Sequence, residues 1–148
     1  MKNLFKSSAN KIIIPLRFSK SQHLIGAFLL NEKPADFLID TGASNSCVDK
    51  RRADHFNLEA ECYNLPLQGA GQEKLYAQSS RKSSLSYLDH EIYHLNFMLI
   101  DMNTINTALS EQEEENIDGI IGADILHKKK AVIDYDQCCL YLNESGWF

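Results

Sequence analysis

The sequence predicts a mainly β protein with two or three short helices, and three observations carry that expectation. Eight short segments rich in β-branched and other apolar residues are bounded by turn-forming residues. In Tyr93, Leu95, Phe97 and Leu99 every second residue is apolar, the period of two that gives a strand one buried face. Helical periodicity, by contrast, is confined to a few short stretches.

Taken in order, the expected strands are Ile12 to Phe18, Leu24 to Leu30, Asp36 to Ile39, Leu75 to Ser79, Leu85 to Leu88, Tyr93 to Ile100, Ala131 to Tyr135 and Cys138 to Leu142. Asp134 to Gln137 parts the last two as a hairpin turn. Val48 to Phe56 reads as a charged helix ending at Asn57, a residue suited to a left-handed C-cap. Thr104 to Glu111 and Ala123 to Lys129 are the other helical stretches, the last with its lysines at the end the helix dipole favours.

No repeat and no Pro/Gly/Ser-rich linker divides the 148 residues. We therefore expect a loose leader over residues 1–10 and one domain over residues 11–148. Composition is globular, with 44% hydrophobic and 24% charged residues, which excludes general disorder and coiled coil. The net charge of −5 argues against nucleic acid as a partner, because phosphate binding needs a basic footprint. No apolar run approaches the ~20 residues that span a bilayer, so no membrane partner is expected. The basic leader (Lys2, Lys6, Lys11, Arg17, Lys20) and the acidic run Glu111 to Glu115 read as solvated faces. Ile12-Ile13-Ile14-Pro15-Leu16 is too short for a signal-peptide core. Cys47, Cys62, Cys138 and Cys139 are not spaced for a zinc knuckle or disulfide framework; read as free thiols, they point to the cytoplasm.

Chemistry concentrates in Phe37-Leu38-Ile39-Asp40-Thr41-Gly42-Ala43-Ser44. An apolar strand delivers a carboxylate into a tight turn that requires glycine, and small residues follow that let backbone approach closely. Taken alone, this is also what an Asx-turn at a strand end looks like. A second stretch, Ile117-Asp118-Gly119-Ile120-Ile121-Gly122-Ala123-Asp124, sets two bulky apolar residues and a glycine before a short helix.

Together these segments resemble the retropepsin-like aspartic proteases, the single-domain relatives of the retroviral protease. The likeness lies in order and spacing over about Ile12 to Leu142. It runs through the Asp40-Thr41-Gly42-Ala43 turn, a helix, a glycine-bearing flap, Ile120-Ile121-Gly122 and a closing hairpin Val132-Ile133-Asp134-Tyr135. The resemblance implies a closed, single-lobe β-barrel and an aspartic endopeptidase with no cofactor and no metal. Two carboxylates share a proton in that chemistry, one activating water and the other protonating the scissile carbonyl. The chain carries one Asp-Thr-Gly, since Glu144-Ser145-Gly146 lacks both the Asp and the apolar lead-in. The resemblance therefore implies a homodimer that pairs two Asp40 residues over an extended peptide or protein substrate. Thr41 would bond across the dyad and the Gly42 amide would hold the carboxylate. Ala43 stands where the pepsin-like branch has a serine, so the dyad would titrate higher. Gly69, Ala70 and Gly71, within Leu65 to Gln72, would form the flap, although the retroviral flap is richer in glycine. Ile120, Ile121 and Gly122 would support the cleft.

Two competing readings remain at this point. One is a catalytically silent member of the fold that binds an extended peptide without cutting it; an intact Asp40-Thr41-Gly42 speaks against that. The other is a zinc peptidase, because His90-Glu91-Ile92-Tyr93-His94 matches His-Glu-x-x-His. Zinc chemistry needs that pentapeptide on a helix, with both imidazoles on one face. Here Tyr93 to Ile100 reads as strand and Leu88 to Glu91 as the turn before it, and on a strand residues i and i+4 stand ~13 Å apart.

Overall fold

The apolar alternation near the start becomes strand β1 (Lys11–Phe18), which turns Ile12, Ile14 and Leu16 into the core and Ile13, Pro15 and Arg17 outward. The structure, a computed structural model, describes residues 10–67, 75–111 and 116–144. The expected leader therefore lies outside the described residues except for Asn10. Strands β2 (Leu24–Leu30) and β3 (Lys33–Ile39) follow as an antiparallel hairpin. Its two-residue turn, Asn31-Glu32, has φ of 48° and 67°. Two positive φ values make the turn whose twist matches paired strands, which is why β3 starts three residues before the expected Asp36.

Beyond the turn at residues 40–46 come β4 (Cys47–Asp49), β5 (Ala60–Leu67), β6 (Leu75–Tyr87) and β7 (His90–Ile100). Helix α1 (Asn103–Glu111), β8 (Gly119–Ile121), helix α2 (Ala123–Lys128), β9 (Val132–Asp134) and β10 (Cys139–Asn143) complete the chain. Neighbour pairing runs β5-β6-β7-β4-β8-β3-β2-β1-β10-β9, and a further β2–β6 pairing closes β2, β3, β8, β4, β7 and β6 into a six-stranded barrel. β1, β10 and β9 extend from β2 as a three-stranded flank.

The continuous apolar run of β3 is explained by burial on both faces, as for a strand inside a packed sheet. Phe37 and Ile39 enter the main core, where Phe37 meets Phe28 edge-on and stacks on Phe97. Leu38 enters a second cluster with Ile25, Cys47, Met102, Ile117 and Ile120. β8 divides likewise, Ile121 to the main core and Ile120 to the second cluster.

Four sequence expectations need correcting. Val48 to Phe56 is not a helix: β4 occupies its start and a single 3-10 turn covers Lys50–Arg52. The Asp49 side chain caps that turn through Arg51 N–H, and β4 is claimed by pairing to β7 and β8, so tertiary pairing overrides local helix preference. Asn57 does adopt the left-handed conformation, with φ of 56°. The expected strands Leu75 to Ser79 and Leu85 to Leu88 merge into one, β6, which ends at Tyr87 before Leu88 turns with φ of 54°; the buried Ser79, Ser80 and Ser83 between them satisfy their hydroxyls on backbone carbonyls. β5 was not expected beyond its flap end. Finally, β7 starts at His90, not after Glu91, and a bulge opposite Leu85 and Ser86 inserts Ile92, which is buried. Leu95, Phe97 and Leu99 keep the expected alternation inward, while Tyr93 is half-buried.

Candidate active site

β3 ends by delivering Asp40 to the mouth of the barrel. Its backbone N–H donates to Ile121 O at 3.0 Å, continuing the parallel β3–β8 ladder by one rung. The chain then turns sharply, with Ala43 N–H donating to Asp40 O at 3.2 Å and Gly42 N–H donating to Asp40 Oδ1 at 2.9 Å. Asp40 is half-buried while Thr41 and Gly42 face solvent. A carboxylate held by its own turn amide, open on one side, is placed to exchange protons with a bound molecule.

Behind the turn, Ile120 and Ile121 fill β8 and Gly122 follows. A Cβ on Gly122 would lie 2.5 Å from the Ala43 carbonyl oxygen, so only glycine allows the close approach. That carbonyl accepts from Ala123 N–H at 2.7 Å as α2 begins. The structure thus brings Asp40, Thr41, Gly42, Ala43, Ile120, Ile121 and Gly122 together. Gly69, Ala70 and Gly71 lie outside the described residues; the β5–β6 hairpin that leads to them is described, from Ala60↔Ser80 to Leu67↔Leu75.

Two residues escaped sequence reasoning. Ser46 N–H donates to Asp124 Oδ2 at 2.9 Å and its hydroxyl donates to Asp124 Oδ1 at 2.6 Å. Ser46 Oγ in turn accepts from Gly122 N–H at 2.9 Å. A serine in a run of small polar residues and an aspartate on a helix's first turn give no local sign that they meet across 78 residues.

The electrostatics of the inner wall are acidic. Burial pushes the Cys47 thiol up to about 12, and the nearby carboxylates of Asp124, Asp40 and Asp49 push in the same direction. The thiol is therefore neutral and unreactive in the fold.

The zinc reading fails on geometry. His90 and His94 lie on strand β7, not on a helix. His94 Nε2 bonds Glu91 Oε1, and His90 Nδ1 bonds Glu144 Oε1 at 3.1 Å. Among the described residues no three His, Cys, Asp or Glu side chains group to hold a metal ion.

A closed six-stranded barrel with one Asp-Thr-Gly turn, braced by an apolar-apolar-Gly strand, defines a single-lobe, retropepsin-like aspartic protease fold. Residues 27–125 match the family described as Aspartyl protease, and the chain belongs to that family. The chain is 30% identical over 112 residues to the retrovirus-related Pol polyprotein from transposon 412 of Drosophila melanogaster; the match covers 76% of this chain and 8% of that polyprotein. Among solved structures, the EIAV protease complexed with the inhibitor HBY-793 superposes with a TM-score of 0.57 at 16% identity, over 80% of this chain and 98% of that one. A retropepsin-like aspartic protease from Rickettsia conorii superposes with a TM-score of 0.53 at 19% identity, over 90% of each chain. The retroviral protease-like domain of Ddi1 from Leishmania major gives 0.53 at 17%, over 84% and 94%. No helix among the described residues is long and apolar enough to cross a membrane.

Proposed function

We propose that the chain is an aspartic endopeptidase whose active site forms between two copies, each contributing Asp40. The observation that carries the reading is the single half-buried Asp40, held by the Gly42 amide at a turn fixed from behind. One carboxylate supplies half of an acid–base pair, so the chemistry needs a second. With two Asp40 side chains adjacent, like charge keeps one protonated. The ionised carboxylate takes a proton from water as the water oxygen attacks the peptide carbonyl carbon. The protonated partner gives its proton to the carbonyl oxygen; the tetrahedral diol then collapses as the C–N bond breaks, the carboxyl that took the water's proton passing it to the amine nitrogen and its partner recovering a proton from a diol hydroxyl. Thr41 locks the two turns together. Gly69, Ala70 and Gly71 form the flap over an extended peptide, and Ile120, Ile121 and Gly122 support the cleft.

The second copy covers the outer face of the β9-β10-β1 flank. There Val132, Tyr141 and Ile13 form one cross-strand row, with Val132 52% and Ile13 54% exposed. Phe18 and Tyr135, stacked at 5.7 Å, cap the same flank at the end where β3 delivers Asp40. The free thiols of Cys47, Cys138 and Cys139 support a reducing, cytoplasmic setting.

The test is cleavage of a peptide library by wild type and Asp40→Ala, with pepstatin as a probe and with enzyme concentration varied. Cleavage lost in the variant, and rising faster than linearly with concentration, is expected. Undiminished cleavage by Asp40→Ala would remove Asp40 from the mechanism. Peptide binding without cleavage by wild type would make the chain a silent member of the fold.

A further inference from the structure

Ser46, buried, and Asp124, half-buried, lie outside the Asp-Thr-Gly turn. We propose that they are positioning residues: a hydroxyl–carboxylate clasp that fixes the chain leaving the catalytic turn against the start of α2, and so sets where the Asp40 carboxylate stands. The inference rests on the aspartic-protease reading and deepens it.

Five hydrogen bonds join residues 40–46 to residues 121–124. Asp40 N–H donates to Ile121 O, Ala123 N–H to Ala43 O, and Gly122 N–H to Ser46 Oγ, while Ser46 donates twice to Asp124. The first bond precedes the turn and the others follow it, so both ends of the turn are tied to one short stretch of backbone. Ser46 is 0% exposed, and its hydroxyl donates to one group and accepts from another at once. The 2.6 Å contact to Asp124 lies in the range of charge-assisted O–H···O⁻ bonds, about twice as strong as neutral ones. Asp124 Oδ1 also accepts from Ile125 N–H at 2.9 Å, which orients the carboxylate on the helix's first turn.

The donor count explains why these residue types serve. Ser46 offers two donors to one side chain, and a carboxylate is acceptor at both oxygens. Asparagine at 124 would keep the shape and set an NH₂ against one of the donors. Alanine at 46 would leave the buried Gly122 N–H without its acceptor, at the point where Gly122 presses on Ala43. Either change frees the turn, and a displacement on the order of 1 Å at a reacting group can cost about a hundredfold in rate.

The experiment uses the full chain as wild type, Ser46→Ala, Ser46→Thr and Asp124→Asn, with Leu85→Ala as a buried core control remote from the turn and from the β9-β10-β1 flank. Steady-state cleavage is measured beside backbone amide exchange of Asp40, Gly42 and Ala43, read by NMR against Leu140. We expect kcat to fall about 10- to 100-fold in Ser46→Ala and Asp124→Asn with KM within about threefold. Turn amides should exchange at least about tenfold faster relative to Leu140, and Ser46→Thr should recover most of both. The control should lose thermal stability while keeping kcat and turn protection. Should Asp124→Asn not fold, Ser46→Ala and its threonine rescue decide. Loss of kcat no greater than in the control, or unchanged turn exchange, would overturn the clasp. If wild type cleaves nothing, the protease reading falls and exchange alone decides: faster turn amides uphold the clasp, unchanged ones refute it.

Discussion

Gly122→Ala is the sharpest single perturbation of this fold. The added Cβ would sit 2.5 Å from the Ala43 carbonyl oxygen and 3.2 Å from the Ala43 Cβ, where ordinary contact begins near 3.4 Å. The obstructing oxygen is backbone and already holds the Ala123 N–H at 2.7 Å, so it has no rotamer to escape into. Relief requires the two segments to part by about 0.9 Å, which lengthens the Ala123–Ala43 and Gly122–Ser46 bonds together. Overpacking of this kind costs about 1–3 kcal/mol. For a domain of this size each kcal/mol lowers Tm by roughly 2–4 °C, so a fall of about 4–8 °C is expected for a mid-range cost of about 2 kcal/mol. Because the displaced atoms belong to the turn that carries Asp40, kcat should drop by about two orders of magnitude. Calorimetry and steady-state kinetics on the purified variant measure the two effects. A Tm within 1 °C of wild type with unchanged kcat would mean that the Gly122–Ala43 approach constrains nothing.

Ala43, Cys47 and Ile13 carry further expected outcomes. Ala43→Ser adds a hydroxyl that favours the ionised Asp40 carboxylate, so the alkaline limb of kcat/KM against pH should move down by about half a unit to one unit; a limb that stays or rises would make Ala43 a mere space-filler. Cys47 has its thiol raised from 9.0 to about 12, so in the native protein at pH 8 it should resist iodoacetamide that labels Cys138 and Cys139. The sign is that of a raised pKa: stability is insensitive to this group below pH 9 and falls as pH rises toward 12, because the unfolded chain releases the proton first. Denaturant titrations at pH 8 and 10 should show that fall reduced in Cys47→Ser; an equal fall in both proteins would assign it elsewhere. Ile13→Lys changes a residue 54% exposed, so monomer stability should shift by no more than about 1 kcal/mol. The enzyme concentration giving half-maximal specific activity should nonetheless rise at least about tenfold; an unchanged midpoint would move the self-association surface away from this flank.

What could be read from the sequence was what is local. Asp40-Thr41-Gly42 and Ile120-Ile121-Gly122 each carry their logic within a few residues, and β3 and β8 keep apolar runs because both faces are buried. The hairpin turn after β9 was legible too, since Asp134 Oδ1 accepts from Gln137 N–H at 2.9 Å in an ordinary side-chain-stabilised turn. The failures share a non-local cause. β4 is three residues long and exists because β7 and β8 pair with it. β6 hides its continuity behind serines that are buried only once β7 pairs alongside, where Ser80 Oγ accepts from Phe97 N–H at 2.9 Å. The β7 bulge shifts Ile92 inward against a pattern that began, by sequence, at Tyr93. Ser46 and Asp124 complete each other and are unremarkable apart.

The placement of β8 between β3 and β4 has a consequence for when the molecule becomes competent. Asp36 and Asp118, which bond at the foot of this junction, are 82 residues apart, and the contacts that brace the turn span 76 and 78. During synthesis the Asp-Thr-Gly segment leaves the ribosome long before the strand that must slide in beside it. Such long-range pairing is slow to close, since loop entropy has to be met before the contacts form. A chain ending at residue 110 would carry the Asp40 turn with neither contact behind it, so released chains of that length should leave Asp40 to Ala43 open to exchange, and the full chain should protect them. Protection already present in the shorter chain would contradict this order. The late strand thus acts as a timing device: the turn that carries Asp40 is braced only once the strand Gly119–Ile121 has been made and can slide in beside it.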